Sequence, residues 1–338
     1  MTAKKSFKLT KGRIAAIISA AVVALLFLSL IIINIFIPVK YLTAWLVSAE
    51  ERESGVLTVT FLDVGYGDST LCELPDGKVL LIDGGDGAYT HTLALLKKLN
   101  SRGIDKIDYL VCSSVLGEYC GGLAEILKYK QVGKVFMPQV NNTGITQAYA
   151  SFVSALGEEQ TETEISQYGA GFAGEDYFFT FLSPSSPDNP LGFYSALQTT
   201  ASHSNMLNIS AIMWLEYAGT SFAFTSSAGS DALNAVVDDY QTIIQTGGRY
   251  APMGDFCVQL ENCDIVSVPG HGDDDCTSAQ WYDALKPSVA VISVGENYSG
   301  YPSAQALADI GSAVASPMLT STRGDITITV TAQGYTIN

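Results

Sequence analysis

Charge is scarce in this chain and unevenly placed. Of 338 residues only 15% are Asp, Glu, Lys or Arg, and no Asp or Glu occurs before Glu50. Lys4, Lys5, Lys8, Lys11, Arg13 and Lys40 all fall in the first 40 residues. The remaining 12 basic residues then face 34 acidic ones, so residues 41–338 carry a net charge of −22. So acidic a body repels phosphate backbones, which argues against nucleic acid as a partner. Zinc-type spacing is also missing. The six cysteines (Cys72, Cys112, Cys120, Cys257, Cys263 and Cys276) include no CxxC pair and no Cys/His cluster. Disorder is excluded in turn, because 47% of the residues are hydrophobic.

One apolar run stands out against this background. Residues 14–39 contain no charge over 26 positions, and about 20 apolar residues span a bilayer as a helix. A secretory h-region is shorter, roughly 7–15 residues. The expected organisation is a cytoplasmic basic tail (1–13), a signal-anchor helix (14–39), a juxtamembrane linker (40–55) and an exported domain (56–338). Positive charge on the tail keeps it inside and places the domain outside the membrane. The competing reading is a cleaved signal peptide, with small residues at Val47-Ser48-Ala49. One such helix does not make a transport pore. In an exported domain disulfides are permitted, and Cys257 with Cys263 is one of many pairings; mostly buried thiols with one disulfide at most is the expectation.

The exported part alternates strands and helices. Residues 56–62 read as a strand running into the turn Asp63-Val64-Gly65-Tyr66-Gly67-Asp68-Ser69. Residues 71–74 and 79–82 form a hairpin around Pro75-Asp76-Gly77-Lys78. Asp83-Gly84-Gly85 follows, then a helix at 92–99, a strand at 107–111, a helix at 123–127 and a strand at 132–137. A helix at 148–156 is followed by the acidic run 158–164, read as a solvated face or loop. After a strand at 177–182, a polar loop reaches about Asn205. Strands at 209–217 and 221–225, a helix at 231–245, an irregular insertion at 247–262 and strands at 264–268, 289–294 and 326–330 complete a second half with the same grammar. The expected fold class is α/β (α+β), two such halves packed as a four-layer αββα sandwich.

The runs FLDVGYGDSTLCELPDGKVLLIDGG, IDYLVCSSVLGEYCGGL and VGKVFMP, followed by LEYAGTSFAFTSSA, DIVSVPGHGDDDCTS, LKPSVAVISVGEN and RGDITITV, resemble the metallo-β-lactamase superfamily. More closely, they resemble the exported domain of ComEC-type competence proteins. The resemblance covers roughly residues 56–332, apart from loops at 138–176, 186–205 and 247–262. It implies a pocket with one or two zinc or manganese ions that activate water against a phosphodiester or other ester. Its ligands would come from a His-x-His-x-Asp-His loop, an Asp in a Thr-Gly-Asp turn and a His in a His-His-Gly turn. Here Ser114, Leu116, Glu118 and Tyr119 stand in the first motif, Ser227 in the second and His271 in the third. Leu116 has no donor, a protonated phenol is a poor ligand, and Ser114 offers a neutral oxygen. Only Glu118 and His271 keep ligand chemistry, too few for a transition-metal site.

Framework residues are kept while ligands are replaced: Asp63, Asp68, Asp83, Gly84, Gly85, Gly121 and Gly122 read as the structural motif. The expectation is therefore a pseudoenzyme. Its cleft, lined by Leu116, Tyr119, Ser227 and His271, would bind an unidentified small ligand or protein partner without a cofactor. The rival is a metal-dependent hydrolase of phosphodiesterase or nuclease type, rebuilt around Glu118, His271, Asp273, Asp274 and Asp275. That site would take zinc or manganese, or calcium on the aspartates. A Cys120–His271 nucleophile is less favoured than a buried thiol or a disulfide of Cys120 with Cys112 or Cys276. His91 and His203 read as exposed or locally bonded, and Asp68 with Ser69 as turn-formers. A third reading docks the chain to other membrane proteins through Ala15, Ala16, Ala20, Ala21 and Ala24.

Overall fold

The computed structural model describes residues 10–36, 39–140, 146–159, 161–184 and 202–338. Its contacts divide the chain after Ser48. The first unit holds helix α1 (Lys11–Phe36), of which Lys11–Asn34 is long and apolar enough to cross a membrane. Ile17, Leu25, Leu26, Phe27 and Ile31 are exposed along it. Hydrocarbon solvates such a surface and water does not.

The second unit is built on two sheets. In chain order the strands are β1 (Leu57–Phe61), β2 (Thr70–Glu73), β3 (Val79–Ile82), β4 (Lys106–Val111), β5 (Gln131–Met137), β6 (Glu162–Ile165), β7 (Gly171–Ala173) and β8 (Tyr177–Ser183). Then come β9 (Ile212–Tyr217), β10 (Thr220–Phe224), β11 (Ile265–Ser267), β12 (Val289–Ile292), β13 (Met318–Leu319), β14 (Ile326–Thr331) and β15 (Gly334–Ile337). One sheet has the order β15-β14-β1-β2-β3-β4-β5-β6 and the other β13-β12-β11-β10-β9-β8-β7. In each, an antiparallel part continues into parallel strands, β3-β4-β5-β6 and β10-β11-β12-β13.

Two-residue alternation places the core. Leu57, Val59 and Phe61 of β1, with Ile326, Ile328 and Val330 of β14, pack against Phe179, Phe181, Met213, Leu215, Phe222 and Phe224 of the other sheet. Thr60 and Thr327 point the other way, their hydroxyls 3.2 Å apart. The second sheet is apolar on both faces. Ile212, Trp214, Ala223, Val266 and Ile292 turn outward beneath Leu233, Val236 and Val237 of a helix at Ser230–Gln245 and Trp281 and Leu285 of one at Ala279–Leu285. On the first sheet's side α2 (Tyr89–Ser101), α3 (Gly117–Cys120), α4 (Leu123–Tyr129) and α5 (Gln147–Glu159) bury Leu95, Leu96, Leu99, Leu123, Ile126, Leu127 and Phe152. Helices outside two facing sheets make the four-layer αββα sandwich.

Of the two alternatives for the acidic run at 158–164, the solvated face holds and the loop does not: its start ends α5, and Glu162–Ile165 is edge strand β6, paired in parallel with β5. Glu162 and Glu164 share a face, and Lys134 of β5 bridges both, at 3.2 and 2.5 Å. Charges on an edge strand look like a loop in sequence. The polar loop to Asn205 also ends early. Ser202 caps helix α6 (His203–Asn208) by accepting from Asn205 N. The rest of that loop, residues 185–201, lies outside the described residues.

Gly157, inside α5, has open space where a Cβ would stand, whereas a Cβ on Gly122 would sit 2.1 Å from the Gly84 carbonyl oxygen. Gly157→Ala should therefore stabilise the chain by about 0.5–1 kcal/mol. Gly122→Ala should cost at least about 2 kcal/mol or prevent folding. Denaturant unfolding of the two variants in detergent checks this, and equal effects would contradict the packing described.

Candidate functional site

Five strand ends converge on one rim: Asp83-Gly84-Gly85 after β3, Cys112–Cys120 after β4, Thr225–Ser227 after β10, Pro269–Gly272 after β11 and Ser293 after β12. The C-terminal ends of parallel strands are where α/β sheets place their sites. Here the loops are laced together by backbone. Gly84 N donates to Tyr119 O (2.8 Å), Gly85 N to Asp68 O (2.9 Å), Asp68 N to Glu118 O (3.0 Å) and Gly122 N to Gly85 O (3.3 Å). Asp83, at φ +62°, accepts from Ser113 N at 2.8 Å and from the Ser113 hydroxyl. Asp63 is exposed and its carboxylate accepts from Gly65 N at 3.4 Å.

Each position expected to face a metal has a different occupant and a different task. Ser114 and Ser227 lie 2.8 Å apart, and both meet Ser210, at 3.0 and 2.8 Å. Ser114 Oγ accepts from both of the other hydroxyls and from Leu116 N at 3.3 Å, so the three buried oxygens are engaged with one another. Leu116 and Tyr119 pack with Leu207 and Cys276, and the Tyr119 hydroxyl donates to Ser226 O at 3.3 Å. Leu116, Tyr119, Ser227 and His271 are 8%, 1%, 1% and 3% exposed. These four do not line an open cleft, contrary to the sequence reading: the leucine and the tyrosine ring fill it.

His271 sits in the left-handed region (φ +59°) after Gly270 (φ +58°), whose missing Cβ leaves room for Cys276 Sγ. Its Nδ1 donates to Ser293 O at 2.7 Å, and Nε2 has no hydrogen-bond partner among the described residues. The ring is held between Tyr119 (centroids 5.2 Å apart) and Tyr66 (4.8 Å). Tyr66 in turn stacks on Tyr301 at 6.4 Å, and the Tyr301 hydroxyl donates to Asp273 at 2.6 Å. Burial, with Glu118 and Asp273 adding to it, pushes the Tyr66 phenol up to about 12. Asp68 is buried too: desolvation raises its carboxyl, and His271 offsets only part of this. It is more than a turn-former, since it places a buried carboxyl in the electrostatic reach of His271.

This donor set does not fit a catalytic transition metal. Neutral hydroxyls, a leucine and a buried phenol, itself pushed well above its ordinary range by burial, cannot supply three ligands. Among the described residues no group of three or more His, Cys, Asp or Glu side chains is arranged to hold a metal ion, so Glu118, His271, Asp273 and Asp275 are not gathered into one. Asp273 accepts from Asp275 N at 3.1 Å as well as from Tyr301, and Asp274 and Asp275 are exposed. Asp86, on the same rim, pairs with His91 at 2.9 Å. Ser113 and Ser226 adjoin Ser114 and Ser227 within their motif runs, whereas nothing in the sequence context of Ser210 marks it.

None of the six cysteines is bridged in this structure, and five are buried. Cys257 does not meet Cys263; Arg249 Nε donates to Cys257 Sγ at 3.0 Å and Cys263 Sγ donates to Ile265 O at 3.3 Å. Cys120 donates to Leu116 O at 3.2 Å rather than to His271.

Sandwich, strand-end rim and motif order together define a metallo-β-lactamase fold. Within that class the sequence is similar to ComE operon protein 3 of Bacillus subtilis (strain 168), 24% identical over 263 residues, which cover 71% of this chain and 28% of the relative. The chain thus matches little more than a quarter of that protein's length. No protein-family profile matches the chain. Among solved structures it is similar to the metallo-β-lactamase fold protein YhfI from Bacillus subtilis (10% identity, 81% of this chain and 99% of that one, TM-score 0.47). Another is a diphosphatase from the PhnP family (12% identity, 81% and 98%, TM-score 0.45).

The buried carboxyl of Asp68 makes a pH prediction. With its folded pKa raised, the native state favours the protonated form. The stabilisation is complete below the unfolded carboxylate value of about 3.9 and is lost as pH rises through the raised folded value. Asp68→Asn does not titrate, so its stability relative to the wild type should improve from pH 4 to pH 8 in thermal unfolding. A gap that stays constant with pH would contradict this.

Proposed function

We propose that this chain is a membrane-anchored, extracytoplasmic ComEC-like domain with a binding or scaffold role and without metallohydrolase activity. The observation that carries the reading is the hydroxyl ring of Ser114, Ser210 and Ser227. A transition-metal site needs thiolate, imidazole or carboxylate donors, each with a lone pair free for the ion. These hydroxyls are neutral and are spent on one another. Leu116 and Tyr119 close the space beside them, so recognition falls to the partly exposed rim at Tyr66, Glu118, Asp273 and Tyr301. The apolar helix α1, preceded by basic residues and followed by an acidic domain, supports the anchor and its orientation.

The test is the metal content of the full chain purified in detergent after dialysis against trace zinc, manganese and calcium, measured by elemental mass spectrometry. Less than about a tenth of an equivalent of each is expected, where a working site of three or more ligands fills. Near-stoichiometric zinc or manganese that His271→Ala abolishes would restore the hydrolase reading. Calcium that survives His271→Ala would shift attention to Asp273–Asp275 and leave the hydrolase reading without its metal.

A further inference from the structure

Two thiols stand at the two ends of the loop that carries the replaced ligand positions. Cys112 follows β4 directly and Cys120 closes α3, and both are completely buried. Their sulfurs turn to the same loop: Cys112 Sγ donates to Ser114 O at 3.3 Å and Cys120 Sγ to Leu116 O at 3.2 Å. Beside burial, the neighbouring Cys120 thiol also raises the Cys112 thiol, which puts the two in each other's electrostatic surroundings. Backbone fixes both ends. Cys112 N donates to Phe136 O at 2.9 Å, Cys120 N to Leu116 O at 3.1 Å, and Cys120 bridges to Gly85 beside it. Three of the other cysteines are engaged elsewhere: Cys257 with Arg249, Cys263 with Ile265 O and Cys276 with Ser227 O. Cys72 is packed in the core between the sheets.

We propose that Cys112 and Cys120 form an intramolecular disulfide that closes the base of the loop carrying Ser114, Leu116, Glu118 and Tyr119. The bond gives this loop a covalent cross-link where the fold otherwise uses coordination to an ion. Its occurrence in the cell rests on the extracytoplasmic placement proposed above, since thiols persist in reducing compartments. In the step the two S–H bonds break, an S–S bond forms, and two protons leave. The two electrons go to a disulfide donor, whose own S–S bond becomes two thiols. Attack needs a thiolate and access. Burial holds the Cys112 thiol well above its ordinary range in the folded chain, so the bond forms while the loop is still open and is shielded afterwards.

The experiment uses the full chain, quenched with an alkylating agent in denaturant and digested with trypsin. Cleavage after Lys106 and Lys128 leaves both cysteines on one peptide, residues 107–128. In protein taken from membranes that peptide should carry no alkyl group and be two hydrogens lighter than the dithiol, with the other four cysteines alkylated. In a second arm the reduced chain is refolded in detergent with or without glutathione disulfide. The donor should produce the same peptide and raise Tm by roughly 5 °C, and Cys112→Ala/Cys120→Ala should show no rise. Disulfide in the second arm but dithiol from membranes upholds the pairing and overturns the extracytoplasmic placement. Six alkylated thiols in both arms, or a Cys120–Cys276 bond, overturns the proposal.

Discussion

Close backbone approach between the turns after β3 and β4 is the constraint on which the rest of the site depends. Gly122 lies so near the Gly84 carbonyl that a Cβ would stand 2.1 Å from its oxygen, and Gly121 and Gly87 approach Asp86 and Gly121 in the same way. No side chain fits such contacts, so these turns need glycine regardless of what the neighbouring side chains do. Once they are seated, Gly84 N reaches Tyr119 O, Gly85 N reaches Asp68 O, and Asp83 takes the two Ser113 donors. The rim's shape is therefore carried by peptide groups. A fold built this way can change its ligand positions without losing the strand-end geometry that presented them.

That constraint also explains what could be read in the sequence. Asp83-Gly84-Gly85 and Gly121-Gly122 were legible because the demand for glycine is local and survives any change of chemistry. The strands of the sandwich were legible because alternation in runs such as Leu57–Phe61 reports one buried face. Edge strand β6 was not, because two glutamates balanced by Lys134 from a neighbouring strand imitate a solvated loop. Ser210 could not be found at all: its partners Ser114 and Ser227 lie 96 and 17 residues away, and a lone serine before a strand carries no signal. The apolar surface of Leu116 and Tyr119 argues for the burial they have rather than for an open cleft.

The burial of this region has a physical cost that its side chains meet together. A polar side chain left alone in a dry site is unsatisfied, worth about 1–3 kcal/mol against folding. Here Ser114 and Ser227 answer each other, Ser210 completes the ring, and Leu116 with Tyr119 replaces water by packing. Among the described residues His271 Nε2 and Ser293 Oγ are left over, with the imidazole ring between Tyr66 and Tyr119. The site is thus a nearly closed set of internal contacts, and its other face is the aromatic, acidic rim.

Such a set has consequences for what the rim can become. Tyr66 packs on His271, and its stack on Tyr301 and the Tyr301–Asp273 hydrogen bond tie it to the acidic loop. None of these side-chain contacts involves the interlocked glycine turns beneath. Rotamers of the aromatic rim can therefore change without disturbing the backbone that carries it, a freedom that a binding surface tolerates and a reaction centre does not.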